Sequence, residues 1–273
     1  MALILLLTDF SPISLNACVF ALRSFGTENN EYLLLHTYWA SIPDDTAPAA
    51  VGDEMYKASV EAMDLFRNRI AALPNTADMV VRTDVRYGPL RAVVEQTCKE
   101  LEVDVVVMGT HPSTDTSFLG SNASELVKHS KVPLLIVPEE ARPTGLGRIL
   151  FADDHKGVEP FAMRWLIRLA QRHYSVVTIA HVVRNENELP DRRIVEDYNT
   201  ALANVEHTFI GIPGDDVALS LSNLADSLHM DLAVVLHRHL GVLDSLFHSS
   251  TAKRFALHTR VPLLVLEDRK SVV

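Results

Sequence analysis

Cysteine is scarce: the 273 residues contain only Cys18 and Cys98. Both fall inside helical patterns without metal or redox spacing, so core thiols in a reducing cytoplasm are expected rather than a disulfide framework. Basic residues are too few to outweigh the acidic ones, and the formal net charge is −10. That balance argues against a nucleic-acid footprint, which needs a basic face, and against anionic membrane surfaces. No apolar run is long enough to span a bilayer. The opening MALILLLTDF is short and lacks the basic start of a signal peptide, so it reads as a buried strand. Also missing are a Gly-x-Ser-x-Gly elbow, a phosphate-binding Gly-x4-Gly-Lys-Ser/Thr loop and a His-Glu-x2-His zinc motif, so no catalytic residue is assigned.

What is present is apolar and regular. A 48% hydrophobic content with 22% charged residues marks a soluble globular chain with room for two domains. One stretch, Val103 to Pro138, orders the rest. Val103–Met108 is a short β-branched run suited to a strand buried on both faces, with Gly109 ending it. Thr110–Leu119 is a hydroxyl-rich loop. Gly120-Ser121-Asn122 opens a helix that Ser121 or Asn122 can cap, with Glu125 three residues beyond Asn122. Val132–Val137 is a second strand.

This grammar returns near the C-terminus, where Met230–Val235 answers Val103–Met108 and Arg260–Leu266 answers Lys131–Val137. So long a repeat is a domain duplication rather than a solenoid unit. In the first copy Leu3–Leu7 reads as a strand, followed by a helix from Pro12 to about Phe25 with Ser11 as its cap. Tyr32–Thr37 is a strand. Ala49–Leu73 is a long helix with Val51, Met55, Ala58, Ala62, Leu65 and Phe66 on its apolar side. Met79–Tyr87 is a strand, and a helix runs from Gly88-Pro89 to about Leu101. Five alternations of strand and helix call for an α/β fold: two tandem doubly wound, Rossmann-like domains, each with a five-stranded parallel sheet. The boundaries are 1–138 for the first domain, 139–147 for a linker and 148–273 for a shortened second domain. Asp153 aligns with Asp9 at an offset of 144, His181 with His36 at 145 and Asp231 with Asp104 at 127, so the second copy lacks about 18 residues, mostly from its second helix.

TDFS after the first strand, LLLHTYW at the second, YGP and VVEQ before the fourth, and VVVMGTH, LGS and VPLLIVP beyond it resemble the universal stress protein family. The two copies resemble its tandem class. The resemblance implies a stress-response protein, regulatory or protective, that acts by binding rather than catalysis. Members that bind ATP carry a loop Gly-x2-Gly-x9-Gly-(Ser/Thr). Its glycines let backbone N–H groups approach phosphate, and the last pair opens a helix whose N-terminus favours an anion. Carried over, the nucleotide-binding residues are Thr8 and Asp9 on the ribose or adenine side, Thr37 and Met108 flanking the base, and Gly109, His111, Gly120, Ser121 and Asn122 around the phosphates.

The loop departs from that pattern. Pro112 takes the place of the second glycine and has no N–H, and only seven residues separate it from Gly120. No Lys or Arg lies between Gly109 and Val127, while Asp115 adds a negative charge. Hydroxyls at Ser113, Thr114, Thr116 and Ser117 are weaker partners for phosphate than cations. The expectation is one degenerate site in the first domain that holds ATP or AMP weakly. In the second copy His237 replaces the first glycine, His248 precedes Ser249 and Ala152 replaces Thr8, so no nucleotide site is expected there. Against the ligand roles stand plain ones: Asp9 as a turn cap, Gly109 as a turn, Gly120-Ser121 as a helix start. His237, His239 and His248, with Asp153, Asp154 and His155 nearby, are too loosely spaced for zinc, and no metal is expected. His36 and His181 are expected to share one hydrogen bond of the fold. The last strands, Val132–Val137 and Val261–Leu266, are apolar edges needing cover, by internal pairing of the domains or by a homodimer. Two other functions stay open: a nucleotide-free scaffold for unidentified protein partners, and a slow ATP-hydrolysing enzyme using His111 or Asp115.

Overall fold

The computed structural model describes residues 1–39, 49–74, 79–111, 120–142, 145–154, 157–183, 191–237 and 261–267. The first strand, β1 (Ala2–Leu7), owes its form to burial on both faces: Ile4 and Leu6 join one apolar cluster while Leu5 and Leu7 join another. It leads into α1 (Pro12–Phe25), capped by Ser11, whose side chain accepts the Ser14 N–H, with Pro12 starting the helix. Then come β2 (Asn30–Tyr38), α2 (Ala49–Ala71), β3 (Val81–Tyr87), α3 (Leu90–Leu101), β4 (Val105–Thr110), α4 (Gly120–His129) and β5 (Leu134–Pro138). The second half repeats the order with β6 (Arg148–Ala152), α5 (Arg164–His173), β7 (Val176–Val183), α6 (Arg192–Ala201), β8 (His207–Pro213), α7 (Val217–Ser227), β9 (Leu232–His237) and β10 (Leu263–Glu267).

The strands make one ten-stranded sheet in the order β3-β2-β1-β4-β5-β10-β9-β6-β7-β8. Each half is therefore ordered 3-2-1-4-5, with all its internal pairs parallel. Among the described residues the halves meet through one antiparallel pair, β5 with β10, in which Leu135 faces Leu264. This is an α/β fold with helices on both faces of a mostly parallel sheet. The α1, α2, α5 and α6 side chains share one cluster, and those of α3, α4 and α7 the other. Both clusters contain residues of both halves, so the core runs across the junction. Around it, Arg168 donates to Asn30 Oδ1 at 2.7 Å, His173 Nε2 to the Ser24 carbonyl at 2.8 Å, and Phe25 packs edge-on to Trp165.

Three readings need correction. β4 continues through Gly109 to Thr110, because Gly109 keeps its partner Val137 on β5. α4 starts at Gly120, which puts Ser121 and Asn122 in its first turn rather than at its cap. Among the described α2 side chains the buried stripe is Met63, Phe66 and Ile70, while Leu65 is 68% exposed; of these described side chains only Phe66 belongs to both stripes, because the helix is rotated so that 63, 66 and 70 meet the sheet. Beyond β5, Ala141 and Leu146 are buried, and Asn16 Nδ2 donates to the carbonyls of Pro138, Glu139 and Ala141.

Candidate functional site

In each half the strand order reverses between the first and fourth strands, the point at which a doubly wound sheet opens a crevice at its C-terminal edge. In the first half that point is the β1–β4 pair, in register from Ile4 with Val105 to Leu6 with Val107. The turn after β1 is held by its own side chains. Thr8 Oγ1 shares a hydrogen bond with Ser14 Oγ at 3.0 Å and accepts the Phe10 N–H at 2.9 Å. Asp9 Oδ1 accepts the Ser11 N–H at 3.0 Å. Phe10 takes a left-handed conformation, φ 67°, that a bulky residue rarely adopts. Its ring, packed on His36 and Phe66, keeps it there. No sequence signal identified that strained position, and a polar TDFS turn is its only trace.

Thr8 is buried and its hydroxyl is committed within the turn, whereas Asp9 is exposed. Partial desolvation pushes the Asp9 carboxyl up, but hydrogen bonds from the Ser11 side chain and backbone, and from Ser14, outweigh it and hold the pKa below the ordinary value. Asp9 is thus a carboxylate at neutral pH, facing solvent beside the end of β4. Gly109 lies against α1: a Cβ there would stand 2.8 Å from both Ile13 Cγ2 and the Ile13 carbonyl oxygen. Its lack of a side chain is what lets the first turn of α1 close on β4. Met108 is buried beside Ile136, and Thr37 is half-buried near the end of β2 opposite Arg86. His111 is exposed and its Nδ1 meets Glu139 Oε2 at 2.6 Å, tying the exit of β4 to that of β5. Topology therefore gathers Thr37, Asp9, Gly109 and His111 along the ends of β2, β1 and β4. Gly120, Ser121 and Asn122 occupy the first turn of α4. The loop 112–119, with Pro112, Ser113, Thr114, Asp115, Thr116 and Ser117, lies outside the described residues.

The second half differs in register from the alignment drawn on sequence. Thr8 N donates to Leu35 O at 3.0 Å, and Asp153 N to Ala180 O at 2.9 Å. His36 Nδ1 donates to the Thr8 carbonyl at 2.8 Å, and His181 Nδ1 to the Asp153 carbonyl at 3.0 Å. Asp104 Oδ2 accepts the Leu3 N–H, as Asp231 Oδ2 accepts that of Arg148. Thr8, His36 and Leu3 each lie 145 residues from their counterparts, so Asp153 answers Thr8 rather than Asp9, and Asp154 answers Asp9. Strand pairing likewise sets Leu236, not His237, opposite Gly109 in the comparison, since Ile149 pairs with Leu232 as Ile4 pairs with Val105. Asp153 is buried and takes the Tyr198 hydroxyl on Oδ1 at 2.6 Å.

Two other places bear on the chemistry. A cavity of about 780 Å³ lies at the opposite end of the first half, lined by Val103, Asp104, Cys98, His129, Phe161 and Arg164 among others, and shares no residue with the crevice. Among the described residues no group of three or more His, Cys, Asp or Glu could hold a metal, while His155, His239 and His248 lie outside those residues. Among them, too, no helix is long and apolar enough to cross a membrane.

Comparison with known proteins adds three findings. The model of the universal stress protein family matches residues 2–138, just over half of the chain. Universal stress protein G of Salmonella typhimurium is 48% identical over 58 residues, which is 21% of this chain and 41% of that protein; the chain thus matches less than half the length of such curated relatives. Among solved structures, a universal stress protein from Archaeoglobus fulgidus superposes with a TM-score of 0.76 at 17% identity, covering 97% of this chain and 98% of that one. The cytoplasmic domain of a prokaryotic cation chloride cotransporter shares the fold at a TM-score of 0.54 and 8% identity, over 97% and 94% of the two chains.

Proposed function

The chain belongs to the universal stress protein family, and from that premise we propose that it is a cytoplasmic, tandem two-domain stress-response protein, regulatory or protective, that works by binding rather than by turnover. Its one adenine-nucleotide site is the crevice of the first half. The observation that carries this reading is Asp9: an ionised, exposed carboxylate at the switch point, able to accept ribose hydroxyls. Bare backbone at Gly109 stands beside it, and α4 begins at Gly120-Ser121, where a helix N-terminus favours phosphate. The absence of Lys and Arg from 109–127 keeps the affinity low and suits AMP at least as well as ATP. The second half holds no nucleotide in this reading, because the buried Leu236 stands at the position of Gly109 and His248 precedes Ser249 where the first half has Gly120 before Ser121. The boundaries of 1–138 and 148–273 follow the same reading, with domain pairing through β5 and β10.

A nucleotide-free scaffold is the second reading, favoured by Pro112 and the shortened loop. Thermal shift with ATP, ADP and AMP tests the two: stabilisation by nucleotide supports the site, and an unchanged melting temperature at millimolar ligand supports the scaffold. Phosphate release then tests the enzyme reading, which requires His111→Ala or Asp115→Ala to lower it.

A further inference from the structure

β3 and β8 end the ten-stranded sheet, and among the described residues nothing pairs with the outer edge of either. They are built differently. β3 carries Arg82, Asp84 and Arg86, with Arg86 held by Asp84 at 2.7 Å and Glu100 at 2.8 Å. Charges of that kind deter edge-to-edge pairing. β8 reads HTFIGIP, with no Lys, Arg, Asp or Glu. Thr208, Ile210 and Gly211 are exposed, Ile210 by 36%.

Its hydrogen bonds to β7 decide which backbone groups face outward. Glu206 O accepts the Val177 N–H, and Gly214 N donates to Val183 O. Alternation along a parallel ladder then turns the even-numbered residues toward β7 and leaves His207, Phe209, Gly211 and Pro213 presenting theirs to solvent. A proline at an outward position is what an edge strand tolerates.

We propose that β8 pairs antiparallel with β8 of a second copy of this chain, about a two-fold axis at Ile210. In that register Phe209 and the partner's Gly211 form a hydrogen-bonded pair, and His207 faces Pro213. Ile210 faces Ile210 and Thr208 faces Ile212 in the non-hydrogen-bonded pairs between. The outward N–H groups of His207, Phe209 and Gly211 all meet carbonyls, and the N–H that Pro213 lacks falls at the last pair. An aromatic ring opposite glycine covers the surface glycine leaves bare, and β-branched partners suit cross-strand pairs. A one-residue slip would set outward groups against inward ones and break the ladder.

Sedimentation equilibrium of the full chain tests the proposal. The wild type is expected at twice the 30.3 kDa chain mass, and Ile210→Lys at the single mass with its circular dichroism unchanged. Mixing Ile210→Lys with Ile210→Glu is expected to restore the doubled mass. Ile210→Cys is expected to form a disulfide-linked dimer on oxidation, because non-hydrogen-bonded pairs bring Cα atoms to about 4.5 Å. A wild type that stays at the single mass overturns the proposal, as it would if this edge serves another protein's strand. So does a dimer that Ile210→Lys leaves intact or that Ile210→Cys fails to cross-link.

Discussion

Where the first half has Thr8 the second has Asp153, and the change of side chain brings a new partner. Tyr198 is buried and gives its hydroxyl to Asp153. Asp153→Ala strands that hydroxyl, at a cost of about 1–3 kcal/mol, measurable as a lower midpoint in urea. Asp9 is linked to acid conditions instead. Its folded pKa lies below the ordinary value, so its stabilising contribution is complete above the unfolded pKa of about 3.9 and is lost as pH falls through the lower folded value. The melting-temperature gap between wild type and Asp9→Asn is therefore expected to hold at neutral pH and close as pH drops below that range. Burial pushes both Cys18 and Cys98 up to about 12, with the Glu95 charge adding to the shift at Cys98. Neither thiol should react with a thiolate-selective reagent at pH 8 in the native protein, and both should react in denaturant.

At the scale of elements, the contact of α1 on β4 depends on Gly109. Gly109→Ala must displace the Ile13 carbonyl or its helix, and overpacking of this kind costs about 1–3 kcal/mol; chemical denaturation is expected to show it without any ligand present. The strands were legible because burial on both faces writes an unbroken apolar run, as in Leu3–Leu7 and Val103–Met108. The stripe of α2 was not. Met55, Ala58, Ala62 and Leu65 are spaced for a helix face, yet the helix turns Met63, Phe66 and Ile70 inward, and which apolar residues meet the sheet depends on where the strands lie. The register of the halves misled for a related reason. Asp153 matches Asp9 in chemistry, but the ladder bonds from Asp153 N to Ala180 O and from Thr8 N to Leu35 O fix position, and they are made by backbone that all residues share. Phe10 was invisible because a positive φ in a phenylalanine leaves no compositional mark.

The whole molecule is a single sheet in which two halves of the same strand order meet at Leu135 and Leu264. The doubly wound class followed from alternation and handedness, while the roles of Asp9, Gly109 and His111 could be placed but not assigned, since each has a structural duty of its own. The central claim is a single nucleotide site, in the first half and dependent on Asp9. Calorimetric titration of the full chain with AMP and ATP, with and without magnesium, tests it when Asp9→Ala and Asp154→Ala are run beside the wild type. The account predicts weak binding near one equivalent, abolished by Asp9→Ala and kept by Asp154→Ala, with both variants folded. Two equivalents, or one that Asp9→Ala leaves intact, or no heat at millimolar ligand, would contradict it.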